Sequence, residues 1–181
     1  MRFPPNEDQS AFLAVVDQMA DGEAAAWKTS PEWRRFDWSP AFDQLMETSG
    51  FLDCAAEESL GLTAAVAMTY RVARLPIAVE CAASAILRPL FAPGLPRPIA
   101  VIEDDPRKPA RFLPMAKSVV FINERGVTCA VLNPNAASAV ASLFAYPMGV
   151  IATDAIDWRS IDADPKTVRD AWRIALAAEL G

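Results

Sequence analysis

The chain has 181 residues, of which 52% are hydrophobic and 22% charged, a composition typical of globular proteins and not of disordered ones. Its net charge of −6 at pH 7 argues against nucleic-acid binding, which needs lysines and arginines clustered on one face. The sequence contains no histidine, which excludes Ser-His-Asp and Cys-His catalysis and the common zinc sites.

The cysteines and the apolar segments predict a cytoplasmic protein. Cys54, Cys81 and Cys129 are odd in number and far apart in the sequence, without the C-x-x-C spacing of a metal or redox pair. Such cysteines are typical of a reduced, intracellular chain. Charged residues and a proline interrupt the longest apolar region, residues 62–92, so it predicts no transmembrane helix.

Two helices are predicted near the N-terminus. Asn6 and Gln9 have the spacing of a capping box, and an apolar helical face follows until Gly22. Ser39 precedes a proline and suits the N-cap of a second helix. Gly50 stands where the left-handed residue after that helix is expected.

The following segment predicts two helices that meet near Pro76. From Leu62 the sequence is rich in alanine, but Pro76 lacks an N–H donor and restricts the residue before it. We expect the second of these helices to run to about Leu87. The proline-rich stretch 88–98 then indicates a stiff linker, so a helical domain is predicted over residues 1–94.

A change to short, β-branched runs predicts a β-domain over residues 95–160. Both faces of Val119–Ile122 are apolar, so this strand should be covered on two sides. Glu124-Arg125-Gly126 predicts a three-residue hairpin loop with Gly126 in the left-handed region. The fold class is therefore α+β, with a small antiparallel β-barrel or sheet. Strands are expected at 98–103, 117–123, 127–132, and around 137–143 and 148–157.

The C-terminal segment, residues 161–181, predicts a last helix. Asp164 and Pro165 suit its N-cap and first position. Its apolar residues repeat at helical spacing and form one continuous stripe. The stripe consists of Val168, Ala171, Trp172, Ala175, Leu176 and Leu180.

The carboxylate pairs do not indicate a general base. Asp104-Asp105 and Glu57-Glu58 both stand beside turn residues, where water solvates like charges. A general base needs a pKa shifted by burial, which neither setting suggests. The glycine motifs of Rossmann folds, P-loops and hydrolase elbows do not occur. No catalytic residue or metal ligand is predicted, and no cofactor-binding residue is assigned.

The clustered basic residues are interpreted as solvated loop charges. Each cluster is interleaved with aspartates, which offset its positive charge. A phosphate site remains the alternative interpretation. The residues concerned are Arg34 and Arg35 near Asp37, and Arg107, Lys108 and Arg111 near Asp104 and Asp105.

The order of the segments resembles that of acyl-CoA dehydrogenases. SGFLDCAAEESLGL, at 49–62, is similar to their stretch in which a helix ends at Gly and a Pro-Glu-Glu, Gly-Gly and Gly-Leu loop follows. YRVARLPIAVECAASAILRPLF, at 70–91, resembles the paired helices of their smaller, divergent members. ARFLPMAKSVVFI and FAYPMG are similar to a shortened β-domain of the family, and AWRIALAAELG to the first helix of its C-terminal bundle.

The resemblance implies a flavin-dependent enzyme but also shows two departures. Family members usually carry Thr-Glu-Pro and Gly-Ser-Asp motifs whose backbone and hydroxyls bind the flavin, whereas this chain has PIAVIEDD at 98–105. In the family, a glutamate of the C-terminal bundle takes the α-proton while a hydride moves to flavin N5. This sequence covers the opening of that bundle and not its base.

Two functions follow for the chain. The first is an acyl-CoA dehydrogenase-like subunit or fragment of lipid or steroid catabolism, inactive until a partner subunit supplies the base. The resemblance implies FAD in such a heteromeric complex and none for the isolated chain. The alternative is a non-enzymatic small binding or structural protein that forms a homo-oligomer.

The last helix is the expected contact with a partner. Its stripe is too apolar to remain in water, so we expect it to pack against a second subunit or a second copy, with Trp172 as an anchor. The alternative is that this helix folds back onto the β-region of its own chain.

Overall fold

A computed structural model describes residues 4–27, 38–143, 146–152 and 156–180. The predictions for Arg34, Arg35 and Asp37 lie outside these residues, as do parts of FAYPMG and of the strand expected at 148–157.

The described residues form five α-helices and seven strands. The helices are α1 Glu7–Trp27, α2 Pro40–Thr48, α3 Gly61–Ala73, α4 Arg88–Phe91 and α5 Pro165–Leu180. The strands are β1 Ile99–Glu103, β2 Ala110–Arg111, β3 Ser118–Asn123, β4 Gly126–Val131, β5 Ala137–Val140, β6 Met148–Ile151 and β7 Arg159–Ile161. Short helical turns span Phe51–Ala56, Ala83–Leu87 and Leu113–Met115. The predicted α+β class is confirmed.

The N-terminal caps are those that the sequence predicts. The Gln9 N–H donates to Asn6 Oδ1 at 2.7 Å, and the Asn6 N–H donates to Gln9 Oε1 at 3.1 Å, which completes the capping box. Ser39 Oγ accepts the N–H of Phe42 at 3.3 Å. Helix α1 continues past Gly22 to Trp27, because one glycine inside a helix costs only about 1 kcal/mol.

The segment around Pro76 departs from the predicted helix pair. Helix α3 ends at Ala73, and Ala78 then forms an isolated bridge with Trp38. A π-helical turn at Ala83–Leu87 leads directly into α4. The expected end at Leu87 is therefore wrong, and the helix ends at Phe91. The helical backbone therefore continues through Pro89, which follows the π-helical turn.

The strands form two small open sheets, so the barrel alternative does not hold for the described residues. Their orders are β1-β3-β4-β7 and β2-β6-β5. Strand β1 pairs with β3 in parallel, which differs from the antiparallel arrangement expected, whereas the other pairs are antiparallel. The sequence did not predict β2 and β7, which are too short to show an alternating pattern.

The β3-β4 hairpin is present, but its turn differs from the prediction. Asn123 pairs with Gly126, so the loop contains two residues and not three. Gly126 is not in the left-handed region. Asn123 Oδ1 accepts the N–H groups of Arg125 at 2.7 Å and Gly126 at 3.1 Å, and these side-chain bonds form the turn.

Strand β3 separates two apolar clusters, as its two apolar faces predict. Val120 and Ile122 belong to the larger cluster, which also contains buried residues of α1, α2, α3 and α5. Val119 belongs to the smaller cluster with Ile102 and Leu113. The helices and one face of the sheet therefore share a core.

The Trp172 face of helix α5 is covered by its own chain. Asp164 caps the helix as expected, since Asp164 Oδ2 accepts the Thr167 N–H at 2.9 Å. Trp172 is only 7% exposed, and the helix packs on α3, on the Ala83–Leu87 turn and on β3 and β4. The expectation that Trp172 anchors a second polypeptide is therefore wrong. The alternative, in which α5 folds back onto its own chain, is closer to the structure. The helix contacts other helices as well as the β-region.

Candidate functional site

Glu80 is a buried carboxylate whose acceptors are filled by its own chain. It is 2% exposed. Its Oε1 accepts the N–H groups of Ala83 and Ser84, each at 3.1 Å, and its Oε2 accepts the Ile99 N–H at 3.0 Å and the Ser84 hydroxyl. The carboxylate therefore caps a helical turn and ties that turn to β1.

Arg97 extends this network to α2. Its guanidinium donates to both carboxylate oxygens of Asp43, at 2.8 and 3.0 Å, to Ser84 Oγ at 3.0 Å and to the Glu80 carbonyl at 3.0 Å. The Arg97 side chain is 1% exposed. Because these charged groups bind one another, the cluster joins three parts of the chain and does not present a free base.

A second buried ion pair lies in a cavity of about 280 Å³. Arg111, in β2, binds Glu179 near the end of α5, and Glu179 Oε1 also accepts the Ala82 N–H at 3.4 Å. Burial raises the pKa of Glu179, and the charge of Arg111 opposes this shift. The Arg111 guanidinium lies over the Tyr146 ring at 4.6 Å and near the Phe112 ring at 5.7 Å.

The walls of this cavity are mostly apolar. The residues from Leu75 to Val79, which follow the end of α3, line it together with Phe112 and Tyr146. Phe112 has a φ of +59°, a left-handed conformation that is rare for a bulky residue. Such backbone strain is often found at ligand sites. The cavity with Arg111 and Glu179 is the candidate functional site.

The carboxylate pairs that the sequence analysis considered are exposed or paired at the surface. Asp104 accepts from Arg169 at 2.8 Å, and this hydrogen bond lowers the pKa of Asp104. Backbone and side-chain hydrogen bonds from Arg107 likewise lower the pKa of Asp105. Glu57 and Glu58 are exposed. These positions support solvation and ion pairing, because a base at neutral pH needs a raised pKa.

Within the described part of the chain, Arg107 and Arg111 do not converge on a phosphate site. Arg107 is 89% exposed and binds its neighbour Asp105 at 3.1 Å. Arg111 instead binds Glu179 in the cavity. The solvated-charge interpretation therefore holds for Arg107 but is wrong for Arg111, which is largely buried.

The residues after β1 do not fit a flavin. Asp104 and Asp105 stand where the resembling family places its hydroxyl-bearing motif, and arginines already bind both carboxylates. Neither aspartate carries the hydroxyl group with which that motif binds the flavin.

The cysteines are poorly suited to nucleophilic chemistry. Cys54 and Cys81 are buried and Cys129 is partly buried, and all three are free thiols. Burial raises the pKa of Cys54 to about 12 and raises the pKa of Cys81 and Cys129 as well. The reactive thiolate form is therefore scarce at neutral pH.

Glu80, Arg97 and Glu179 are not among the residues predicted from the sequence, and Arg111 was interpreted as a solvated loop charge although it is largely buried. One signal was available, because Glu80 lies inside the apolar run 77–87 and Glu179 falls on the stripe side of α5. A carboxylate in such a place is seldom buried without a partner.

Comparison with known proteins does not identify a family. The sequence matches no protein-family model and no curated protein. Within the described ranges, no helix has the length and apolar content needed to cross a bilayer. In the same residues, no group of His, Cys, Asp or Glu side chains is arranged to bind a metal ion. The likeness to acyl-CoA dehydrogenases therefore stays a proposal.

Proposed function

We propose that the chain is a non-catalytic subunit of a heteromeric, flavin-dependent enzyme of the acyl-CoA dehydrogenase type. It contributes helical and β-domain surface, while a partner subunit provides the flavin-facing bundle and the basic glutamate. The segment resemblances support the family. One observation carries the non-catalytic role: the carboxylates of Glu80 and Glu179 are both occupied by donors of their own chain.

The outer face of α5 is the proposed contact with the partner. Ile174 is 42% exposed and Leu180 is 81% exposed. With the exposed Ala177 between them, they follow one side of the helix at a three-residue spacing. This face replaces the Trp172 face, which the chain itself covers. The proposed complex acts on lipid-derived or steroid-derived acyl-CoA in the cytoplasm, where free cysteines stay reduced.

Purification and visible absorption spectra test this function. Expressed alone, the protein should be colourless and inactive with acyl-CoA substrates, because the residues after β1 do not fit a flavin. Co-expressed with the proteins of neighbouring genes, it should purify with a yellow partner that reduces an electron acceptor. A yellow, active preparation of the isolated chain would contradict the proposal.

Two variants of α5 give this experiment a matched control. Ile174→Lys should abolish co-purification with the partner without altering the melting temperature, since this side chain is half-exposed. Arg173→Ala changes the adjacent exposed residue and should leave co-purification intact. Equal recovery of the partner by both variants would mean that α5 is not the contact.

A second candidate function is a non-enzymatic binding protein that forms a homo-oligomer. The cavity beside Arg111 favours it, since apolar cavities with a few polar groups are typical of small-molecule sites. A stable homodimer without affinity for flavin or CoA, seen in sedimentation and absorption measurements, would support this candidate over the first.

A further inference from the structure

The edge strands of the two sheets differ in how far they are protected from pairing with another chain. Within the described residues these strands are β1 and β7 in one sheet and β2 and β5 in the other. Glu80 accepts the Ile99 N–H of β1 at 3.0 Å, and the two-residue strand β2 lies against β1. Strand β7 carries Arg159 and is flanked by Asp157 and Asp162, and charges on an edge oppose further pairing. These three edges are therefore covered or charged.

Strand β5 has an open edge. The Ala136 carbonyl accepts the Ala152 N–H of the segment that continues β6, at 2.9 Å. Because the N–H and C=O groups of successive residues in an antiparallel strand point to opposite sides, those of Ala137 and Ala139 point away from β6. In the part of the chain that the structure describes, these groups have no partner, and Ala139 is exposed.

The open edge also carries no charge. The sequence contains no Asp, Glu, Lys or Arg between Arg125 and Asp154, so neither β5 nor its neighbour β6 has a charged residue. Strand β5 itself, with the sequence ASAV, contains no proline either. Charges, prolines and covering segments are the usual protection of an edge strand. An edge without them is suited to pairing with a strand of another chain.

We propose that β5 pairs with β5 of a second copy of this chain, antiparallel and about a two-fold axis at Ser138. In this register Ala137 of each copy forms a hydrogen-bonded pair with Ala139 of the other. The two Ser138 residues then lie directly opposite each other, and the three-stranded sheets of both copies form one continuous sheet.

A second copy fits this edge for reasons of charge and symmetry. Each copy has a net charge of −6, so two copies repel each other unless they meet at an uncharged surface. A charged strand of a different protein would find no opposite charge on β5. A two-fold axis also places each outward N–H group opposite an outward C=O group, and symmetric dimers are the commonest oligomers.

The inference rests on the homo-oligomer of the second candidate function, to which it assigns an interface. It uses a different surface from the outer face of α5, which is the proposed contact in the heteromeric enzyme.

Sedimentation equilibrium of the purified full chain tests the proposal first. The molecular mass should rise with protein concentration from 19.6 kDa toward twice that value. The interface is small, so monomer and dimer should exchange. A wild type that remains monomeric up to about 1 mM would overturn the proposal.

Charge variants at Ser138 test the two-fold register. Ser138 is exposed, so Ser138→Lys and Ser138→Glu should both fold. Each variant places like charges opposite each other across the axis and should weaken dimerisation at least tenfold. An equal mixture of the two brings opposite charges together and should dimerise at least tenfold more tightly than either variant alone. A mixture that dimerises no more tightly would contradict this register.

Changes at the other exposed edge provide the matched control. Ser160→Lys and Ser160→Glu make the same charge changes in β7, where Ser160 is exposed, and should dimerise like the wild type. Ala139→Pro removes an N–H group that β6 does not use, so it should weaken dimerisation at least tenfold while the chain stays folded. This variant decides the outcome if the Ser138 variants do not fold, which their melting temperatures show.

The possible failures are distinguishable. A dimer that the folded β5 variants retain would refute this interface and leave the homo-oligomer standing. A monomeric wild type would refute both. Neither result affects the co-purification and absorption measurements that test the heteromeric function.

Discussion

Gly126 lies in strand β4 in a backbone conformation that any residue adopts, and an added Cβ would meet nothing within 4 Å. Gly126→Ala should therefore change the free energy of unfolding by less than about 0.5 kcal/mol. Asn123→Ala should lower it by about 1 kcal/mol, because the turn loses the bonds from Arg125 and Gly126. Urea denaturation of both variants measures the difference, and a larger cost for Gly126→Ala would contradict this turn.

Arg97 provides a second test at the level of one residue. Arg97→Ala leaves Asp43 and the Ser84 hydroxyl without their donor in a buried setting. The free energy of unfolding should fall by about 3–5 kcal/mol, as for other buried charge pairs that lose one partner. Arg107→Ala removes an exposed arginine and should cause no measurable loss. Similar denaturation midpoints for the two variants would mean that the network contributes little.

Individual residues were predictable where their partners are close in sequence. Asn6 with Gln9 and Asp164 with Thr167 are three residues apart, so their spacing alone predicts the hydrogen bonds. Arg111 and Glu179 are separated by 68 positions. No local pattern connects two such side chains, so the candidate site was not predictable from the residues that form it.

Helix α5 gives a prediction at the level of an element. Trp172→Ala should lower the free energy of unfolding by about 3–5 kcal/mol, because a large buried ring is replaced by a cavity. The molecular mass in sedimentation should not change, since Trp172 packs on its own chain. Leu45→Ala, at a half-exposed position of α2, is the control and should change stability by less than about 1 kcal/mol. A lower molecular mass for Trp172→Ala than for the wild type would instead support an interface with a second polypeptide at Trp172.

Elements were predictable where the pattern is long enough to define a period. The continuous apolar run of β3 and the helical apolar spacing of α5 both predicted the correct element, although Leu180 at the end of the α5 stripe is 81% exposed. Periodicity does not specify which strand pairs with which, so the parallel pairing of β1 with β3 differed from the expectation. The end of α4 was missed because the prolines after Leu87 indicate a linker, whereas the helix continues through the first of them to Phe91.

At the scale of the whole molecule, the candidate site depends on how distant segments meet. The cavity combines the segment after α3, strand β2 and the end of α5. The sequence predicts that these segments exist and that the fold is α+β. Their meeting depends on the packing of α5 on α3 and on the position of β2 beside β6, which are tertiary contacts. The division into domains at residue 94 stays a prediction.

The position of β3 determines how the protein should exchange its amide hydrogens. This strand pairs with β1 on one side and β4 on the other, and apolar clusters cover both of its faces. Its N–H groups can therefore reach deuterated solvent only when the whole molecule opens, whereas those of the edge strand β5 need only local fraying. Native-state exchange followed by NMR should find the slowest amides at Val119–Ile122. Their opening free energy should equal that of global unfolding, and exchange in β5 as slow as that in β3 would show that the two sheets open together.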